Sequence, residues 1–149
     1  MLGEGNSTSI INLPLASERE AAYAAYVDDK LVRLLVVNMN AYNSSSSSST
    51  SNSTSRPVQA YKFQVGDQKH NARKGRKGGK REAGLRRLVA GGSDALSGVT
   101  FDGFSYNWEL DEGMPVRLRN VTRGEKVLVG HDGKLTVNVP WSSAVIIDL

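Results

Sequence analysis

The feature that most constrains this 149-residue chain is the rhythm of its apolar residues. Strand-length runs recur at short intervals, turn-forming residues separate them, and no run sustains a helical period. The expected strands are residues 9–13, 21–27, 31–40, 58–65, 85–90, 101–110, 116–118, 126–129, 135–139 and 144–147. In 58–65, Tyr61, Phe63 and Val65 alternate with Lys62 and Gln64, the pattern of a half-buried strand; Leu135, Val137 and Val139 alternate with Thr136 and Asn138 in the same way. Leu31-Val32-Arg33-Leu34-Leu35-Val36-Val37 is different, being apolar on both faces, as a central strand covered on both sides would be. Asp28-Asp29-Lys30 and His131-Asp132-Gly133 are hairpin signals. About eight to ten short strands joined by such turns predict an all-β fold, an antiparallel, Greek-key-like β-sandwich in a single domain. One segment stays open: Ser17-Glu18-Arg19-Glu20 has the form of an N-cap and capping box, and Tyr23 and Tyr26 extend a helical spacing from it.

Two stretches do not fit the strand rhythm. Residues 43–56 are almost entirely Ser, Thr and Asn, and residues 66–82 are rich in Gly, Lys and Arg. Neither buries enough apolar surface to offset its ordering entropy, so both are expected to be disordered inserts between strands, where added length costs little. The second insert also explains the charge. Residues 66–88 hold nine Lys/Arg against Asp67 and Glu82, while the rest of the chain has ten basic and thirteen acidic residues. The formal net charge of +4 therefore belongs to one loop on a mildly acidic domain, which removes the general argument for nucleic-acid binding.

Composition excludes several functions. There is no cysteine, so disulfide and thiol chemistry are absent, and with His70 and His131 as the only histidines no structural zinc site is expected. Nothing in the sequence calls for a cofactor. No apolar run approaches the roughly 18 residues of a membrane span, so no membrane partner is expected. The first residues, Met1-Leu2-Gly3-Glu4-Gly5, lack a signal peptide, so a product expressed from Met1 would be cytoplasmic unless the natural N-terminus lies upstream.

Three blocks carry a family resemblance. The first is 17–26 followed by Lys30-Leu31-Val32-Arg33-Leu34-Leu35-Val36-Val37-Asn38-Met39-Asn40. The second is Gly92-Ser93-Asp94-Ala95 with Gly98-Val99-Thr100-Phe101-Asp102-Gly103-Phe104-Ser105-Tyr106-Asn107-Trp108-Glu109, and the third is Val137-Asn138-Val139-Pro140 with Ala144-Val145-Ile146-Ile147. In this order they resemble the C-terminal β-sandwich domain of fungal family 79 glycoside hydrolases, enzymes of the β-glucuronidase and heparanase type. The middle block is the most specific, and with the 10–15 strand the likeness covers nearly all of the chain outside the two inserts. The resemblance implies a non-catalytic domain packed on a (β/α)₈ barrel, which carries two glutamates for retaining hydrolysis of β-glucuronides and is absent here. It also implies an extracellular parent enzyme, and a sandwich short of one strand that the parent adds from before its barrel. An unpaired edge and an exposed apolar patch should follow. The 66–80 stretch is longer than the family pattern, as an insertion or retained intron sequence would be.

The candidate sites each have a plainer reading. Glu109, Asp111 and Glu112 are the dense acidic group, but a turn before Gly113 does not form the cleft that a retaining pair needs. Catalytic residues are therefore not expected in this chain. Phe104, Tyr106 and Trp108 lie at period two and would share a strand face, as core, as a surface for docking the barrel, or as a platform for sugar rings. Sequons stand at Asn6, Asn43, Asn52 and Asn120, with Asn120 in an expected turn. Arg73, Lys74, Arg76, Lys77, Lys80 and Arg81 form a candidate polyanion patch without interleaved aromatics. His70 and His131 have no triad neighbours and are expected to face solvent. Two alternatives stay beside the accessory-domain reading: a free-standing carbohydrate-binding module, and weak polyanion or nucleic-acid binding through the basic loop.

Overall fold

The structure, a computed structural model, describes residues 7–44, 55–66 and 81–149. Expectations that fall on Asn6, Asn52, His70, Arg73, Lys74, Arg76, Lys77 and Lys80 lie outside the described residues. In chain order the elements are β1 (Thr8–Leu13), β2 (Glu20–Val27), β3 (Lys30–Asn38), β4 (Val58–Gln64), β5 (Arg81–Val89), β6 (Thr100–Phe101), β7 (Phe104–Ser105), α1 (Trp108–Asp111), β8 (Val116–Arg117), β9 (Glu125–Val129), β10 (Lys134–Pro140) and β11 (Ser143–Asp148).

Nine strands form one sheet in the order β1-β2-β3-β11-β5-β6-β7-β8, with β9 also paired to β5, and β4 and β10 form a second sheet. All pairings are antiparallel. The chain leaves the large sheet after β3, and the last strand, β11, returns to the middle of it between β3 and β5. The fold is thus the expected antiparallel sandwich, but its layers are very unequal.

The core lies between the sheets. Ala22, Ala24, Leu34, Val36, Ala83, Leu85, Val145 and Ile147 point inward from the large sheet, and Tyr61, Leu135, Val137 and Val139 meet them from the small one. Leu34, Val36, Leu135, Val137, Val139, Val145 and Ile147 are at most 2% exposed. Each is expected to contribute roughly 1.5–3 kcal/mol of burial. Buried Asn38 ties the layers together by donating Nδ2 to the Val139 carbonyl at 3.3 Å.

The segment from Ser17 is a strand, not a helix. The Ser17 hydroxyl accepts from the Arg19 N–H and its carbonyl accepts from Glu20, but this single turn ends where β2 begins. The alternation of β2 explains the outcome, since Ala22 and Ala24 enter the core on one face. Asp28 and Asp29 both take positive φ, 48° and 60°, between paired Val27 and Lys30, as a type I′ hairpin requires.

Two boundaries differ from the sequence expectation. β5 begins at Arg81, so Arg81 and Glu82 belong to a strand and not to the basic loop; Arg81 stands opposite Val129 and is half-buried. Residues 101–110 are not one strand. Asp102 and Gly103, with φ of 48° and 80°, turn the chain between β6 and β7, and after Ser105 it passes into the helical turn α1. Phe104, Tyr106 and Trp108 therefore do not form a row on one strand face.

Gly133 (φ +73°) closes the β9–β10 turn, its carbonyl accepts from the Val65 N–H at 2.9 Å, and a Cβ there would run into the Gly66 carbonyl. Gly133→Ala is expected to destabilise the domain by about 1–3 kcal/mol in urea unfolding. Tyr61 is 6% exposed, and its hydroxyl makes no well-formed hydrogen bond among the described residues, although burial and then the nearby Glu20 carboxylate push its pKa up. Tyr61→Phe removes that weakly paired hydroxyl and keeps the ring in the core, so the same assay is expected to show a change of no more than about 1 kcal/mol.

Candidate functional site: an apolar groove on the outer face

The inner face of the large sheet is covered by β4 and β10; on its outer face Ala144 and Ile146 are buried between their neighbours, Leu35 and Val37 are half-buried, and Leu88 is exposed. Register fixes what that face shows. Val37 and Leu88 flank Ala144, and Leu35 and Arg86 flank Ile146, so an apolar strip crosses the three central strands. Phe101, opposite Leu88, extends it to β6, and Tyr106 closes one side. The result is a groove of about 690 Å³ with an almost wholly apolar lining. The residues that made β3 read as covered on both faces, Leu35 and Val37, are part of its floor; β3 is central, but among the described residues only one of its faces packs against a second sheet.

One rim is charged. Asp148 accepts from Arg33 Nε at 2.6 Å and from Arg86 Nε at 2.8 Å, and the Arg86 guanidinium lies 5.9 Å from the centre of the Phe101 ring. Burial pushes the Asp148 carboxyl up, but the hydrogen bonds and charges of Arg86 and Arg33 outweigh it and hold it below the usual carboxylate range. The arginines thus keep their charge paired while their stems border apolar surface.

Beside the groove, residues 106–114 project. Trp108 is 70% exposed, and Tyr106, Leu110 and Met114 are exposed with it. The projection is held by backbone bonds from Leu110 to Asn107, from Glu112 to Trp108 and from Met114 to Asp111, with Glu112 in the left-handed region. Eight of the thirteen large exposed apolar side chains among the described residues fall between Leu88 and Met114. Single exposed apolar residues need no explanation, but this density beside an apolar groove marks a contact surface. The carboxylates of Glu109, Asp111 and Glu112 are exposed on the same short turn.

Residues 22–146 match the glycosyl hydrolase family 79 C-terminal beta domain. The chain belongs to this family. It is 45% identical over its whole length to a beta-glucuronidase of Aspergillus niger, and 38% identical over 94% of its length to a beta-glucuronidase of Neurospora crassa. In structure, 94% of the domain matches a 4-O-alpha-L-rhamnosyl-beta-D-glucuronidase from Fusarium oxysporum 12S with a TM-score of 0.65 at 26% identity. The chain spans only about a quarter of each of these proteins, 26%, 27% and 26%.

In the β domain the other candidate residues are dispersed. Phe104 is half-buried under the Arg123 guanidinium, 5.3 Å from its ring centre, Tyr106 lines the groove, and Trp108 stands on the projection. Asn120 is exposed on the turn between β8 and β9. Asn43 is exposed, and its neighbour Ser44 donates its N–H to Asp94 Oδ1 at 3.0 Å. His131 is exposed on the β9–β10 turn, and no cluster of three metal-ligating side chains occurs among the described residues.

Sequence reasoning missed Arg56. It sits at the end of the Ser/Thr/Asn-rich stretch but donates to the carbonyls of Trp141, Ala90 and Ser142 at 2.6, 2.8 and 2.8 Å, and lies over Tyr42. It clamps the β10–β11 turn to the end of β5, fixing one end of the groove floor. An isolated basic residue beside a low-complexity run gives no local signal of this.

The Asp148 pairing predicts a pH dependence. Because its folded pKa lies below the unfolded value of about 3.9, its contribution is present above about pH 4 and is lost as pH falls through the folded value. Asp148→Asn is expected to lower stability at about pH 7 and to flatten the fall below about pH 4; unfolding midpoints of both proteins across that range check it.

Proposed function

We propose that this β domain is the non-catalytic C-terminal part of a secreted, β-glucuronidase-like glycoside hydrolase, and that its outer-face groove docks on and stabilises a (β/α)₈ catalytic barrel. The groove carries this reading: a wide apolar strip crosses the centre of the sheet, and burying it against a second domain returns the hydrophobic stabilisation that solvent exposure forgoes. The length of the relatives supports it. They are nearly four times as long as this chain, leaving room for a barrel of about 250 residues. In this reading the two catalytic glutamates belong to that barrel, and Trp108 and Tyr106 are docking contacts, since exposed aromatic anchors on rigid elements suit an interface.

The small sheet supports a further contribution from the parent enzyme. Ile11 pairs with Ala24 and so shares its inward face, yet it is 50% exposed, because two strands do not cover the width of nine. A strand added at the free edge of β4 would cover it and satisfy the open backbone edge. A free-standing carbohydrate-binding module fits less well, because Phe104, Tyr106 and Trp108 are not presented on one face.

The test is Leu35→Asp in the full-length enzyme. Leu35 faces the groove, away from the core, but it is half-buried on a central strand, so the isolated domain is expected to lose about 1–2 kcal/mol. The full-length enzyme is expected to lose roughly 1–3 kcal/mol beyond that, with matching loss of β-glucuronide hydrolysis on mild heating, because a carboxylate would be buried in the interface. Equal effects in both proteins would refute docking through this face.

A further inference from the structure

The sequon Asn120-Val121-Thr122 has structural properties that its composition does not convey. Asn120 is exposed on the turn between β8 and β9, and is not among the residues lining the groove. The turn is pinned from both sides, the Leu118 N–H donating to the Gly103 carbonyl at 3.0 Å and the Gly124 N–H to Asp102 Oδ1 at 3.1 Å. Thr122 is exposed, and among the described residues its hydroxyl has no hydrogen-bond partner. Asn43, the other described sequon asparagine, is followed by Ser44, whose N–H and hydroxyl both engage Asp94.

We infer that Asn120 is an N-glycosylation site of the mature protein. The amide nitrogen of Asn120 forms a bond to the anomeric carbon of an oligosaccharide carried on a lipid pyrophosphate. The bond from that carbon to the phosphate oxygen breaks, the lipid pyrophosphate leaves with the electron pair, and the amide proton passes to a base of the transferase. The acceptor triplet requires the hydroxyl at Thr122 and a residue other than proline between them, and both conditions hold. Transfer takes place as the chain is made, so the folded position must tolerate a large hydrophilic group. An exposed turn away from the groove does so without unpacking a strand or obstructing the apolar face. The glycan then marks the β8–β9 end of the sheet as solvent-facing in the assembled enzyme. This inference rests on the proposed function for passage through the secretory pathway and for a longer parent enzyme, but it does not depend on the groove.

The experiment is peptide mapping of the full-length protein purified from the organism that makes it. Release of glycans by peptide N-glycosidase in heavy-oxygen water is expected to convert most Asn120 to labelled aspartate. In the full-length protein secreted from yeast, Asn120→Gln and Thr122→Ala are each expected to lose that glycan, Thr122→Ser to keep it, and all three to retain β-glucuronidase activity. Recovery of the Asn120 peptide unlabelled from the native protein would overturn the inference, and so would a glycan content unchanged by Thr122→Ala. Groove docking is read by Leu35→Asp instead, so the two ideas fail separately.

Discussion

Everything in this fold depends on a mismatch between two layers. The large sheet has apolar side chains on both faces of its central strands, and β4 and β10 cover only one of those faces. Antiparallel sheets often leave one face to water, but such faces are polar. Here Leu35, Val37, Ala144 and Ile146 stand where polar residues would be expected, and the strip continues into Leu88 and Phe101. Ala144 and Ile146 are buried between their neighbours, while Leu35 and Val37 stay half-exposed and Leu88 exposed, and in the proposed reading a neighbouring domain removes this remaining contact with water. The arginine pair around Asp148 fits the same logic, since it places charge at the rim with its partners already in place and leaves the floor apolar.

The framework holds the groove flat without help from its own surface. β11 enters the middle of the sheet and pairs on both sides, so the groove floor is built from three fully hydrogen-bonded strands. Arg56 locks one end of this floor through three carbonyls, and Asn38 links it to the second layer. The projection carrying Trp108 is set by short backbone bonds rather than by packing, which leaves its apolar side chains free to meet a partner. A rigid floor and a rigid projection lose little entropy on association.

Much of this was legible in the sequence, and the misreadings have physical causes. The two-sided apolar run in β3 correctly marked a central strand, but it did not distinguish a face packed under a second sheet from one that lines an open groove. Alternation identified β4 and β10, where only one face is buried. Period two failed at 101–110 because Asp102-Gly103 turns the chain inside an otherwise strand-like run, and a two-residue turn leaves the apolar spacing intact. Charge hid the start of β5, since Arg81 and Glu82 look like loop until β9 is seen beside them. The motif from Gly92 was specific because its residues hold turns. A side chain at Gly92 would meet the Tyr42 carbonyl, and Asp94 holds the Ser44 N–H. Long-range clamps such as Arg56 depend on groups far along the chain and leave no local trace.

Side-chain footprinting by hydroxyl radicals, applied to the 149-residue chain and to the full-length enzyme under the same conditions, tests the central claim most directly. Covering of the outer face predicts that Leu35, Leu88, Phe101, Tyr106 and Trp108 are labelled in the isolated chain and protected in the full-length enzyme. Leu135 and Val36, buried between the sheets, should stay protected in both and report that each protein is folded. Equal labelling of the groove residues in the two folded proteins would show that the face stays in water, and would contradict the account.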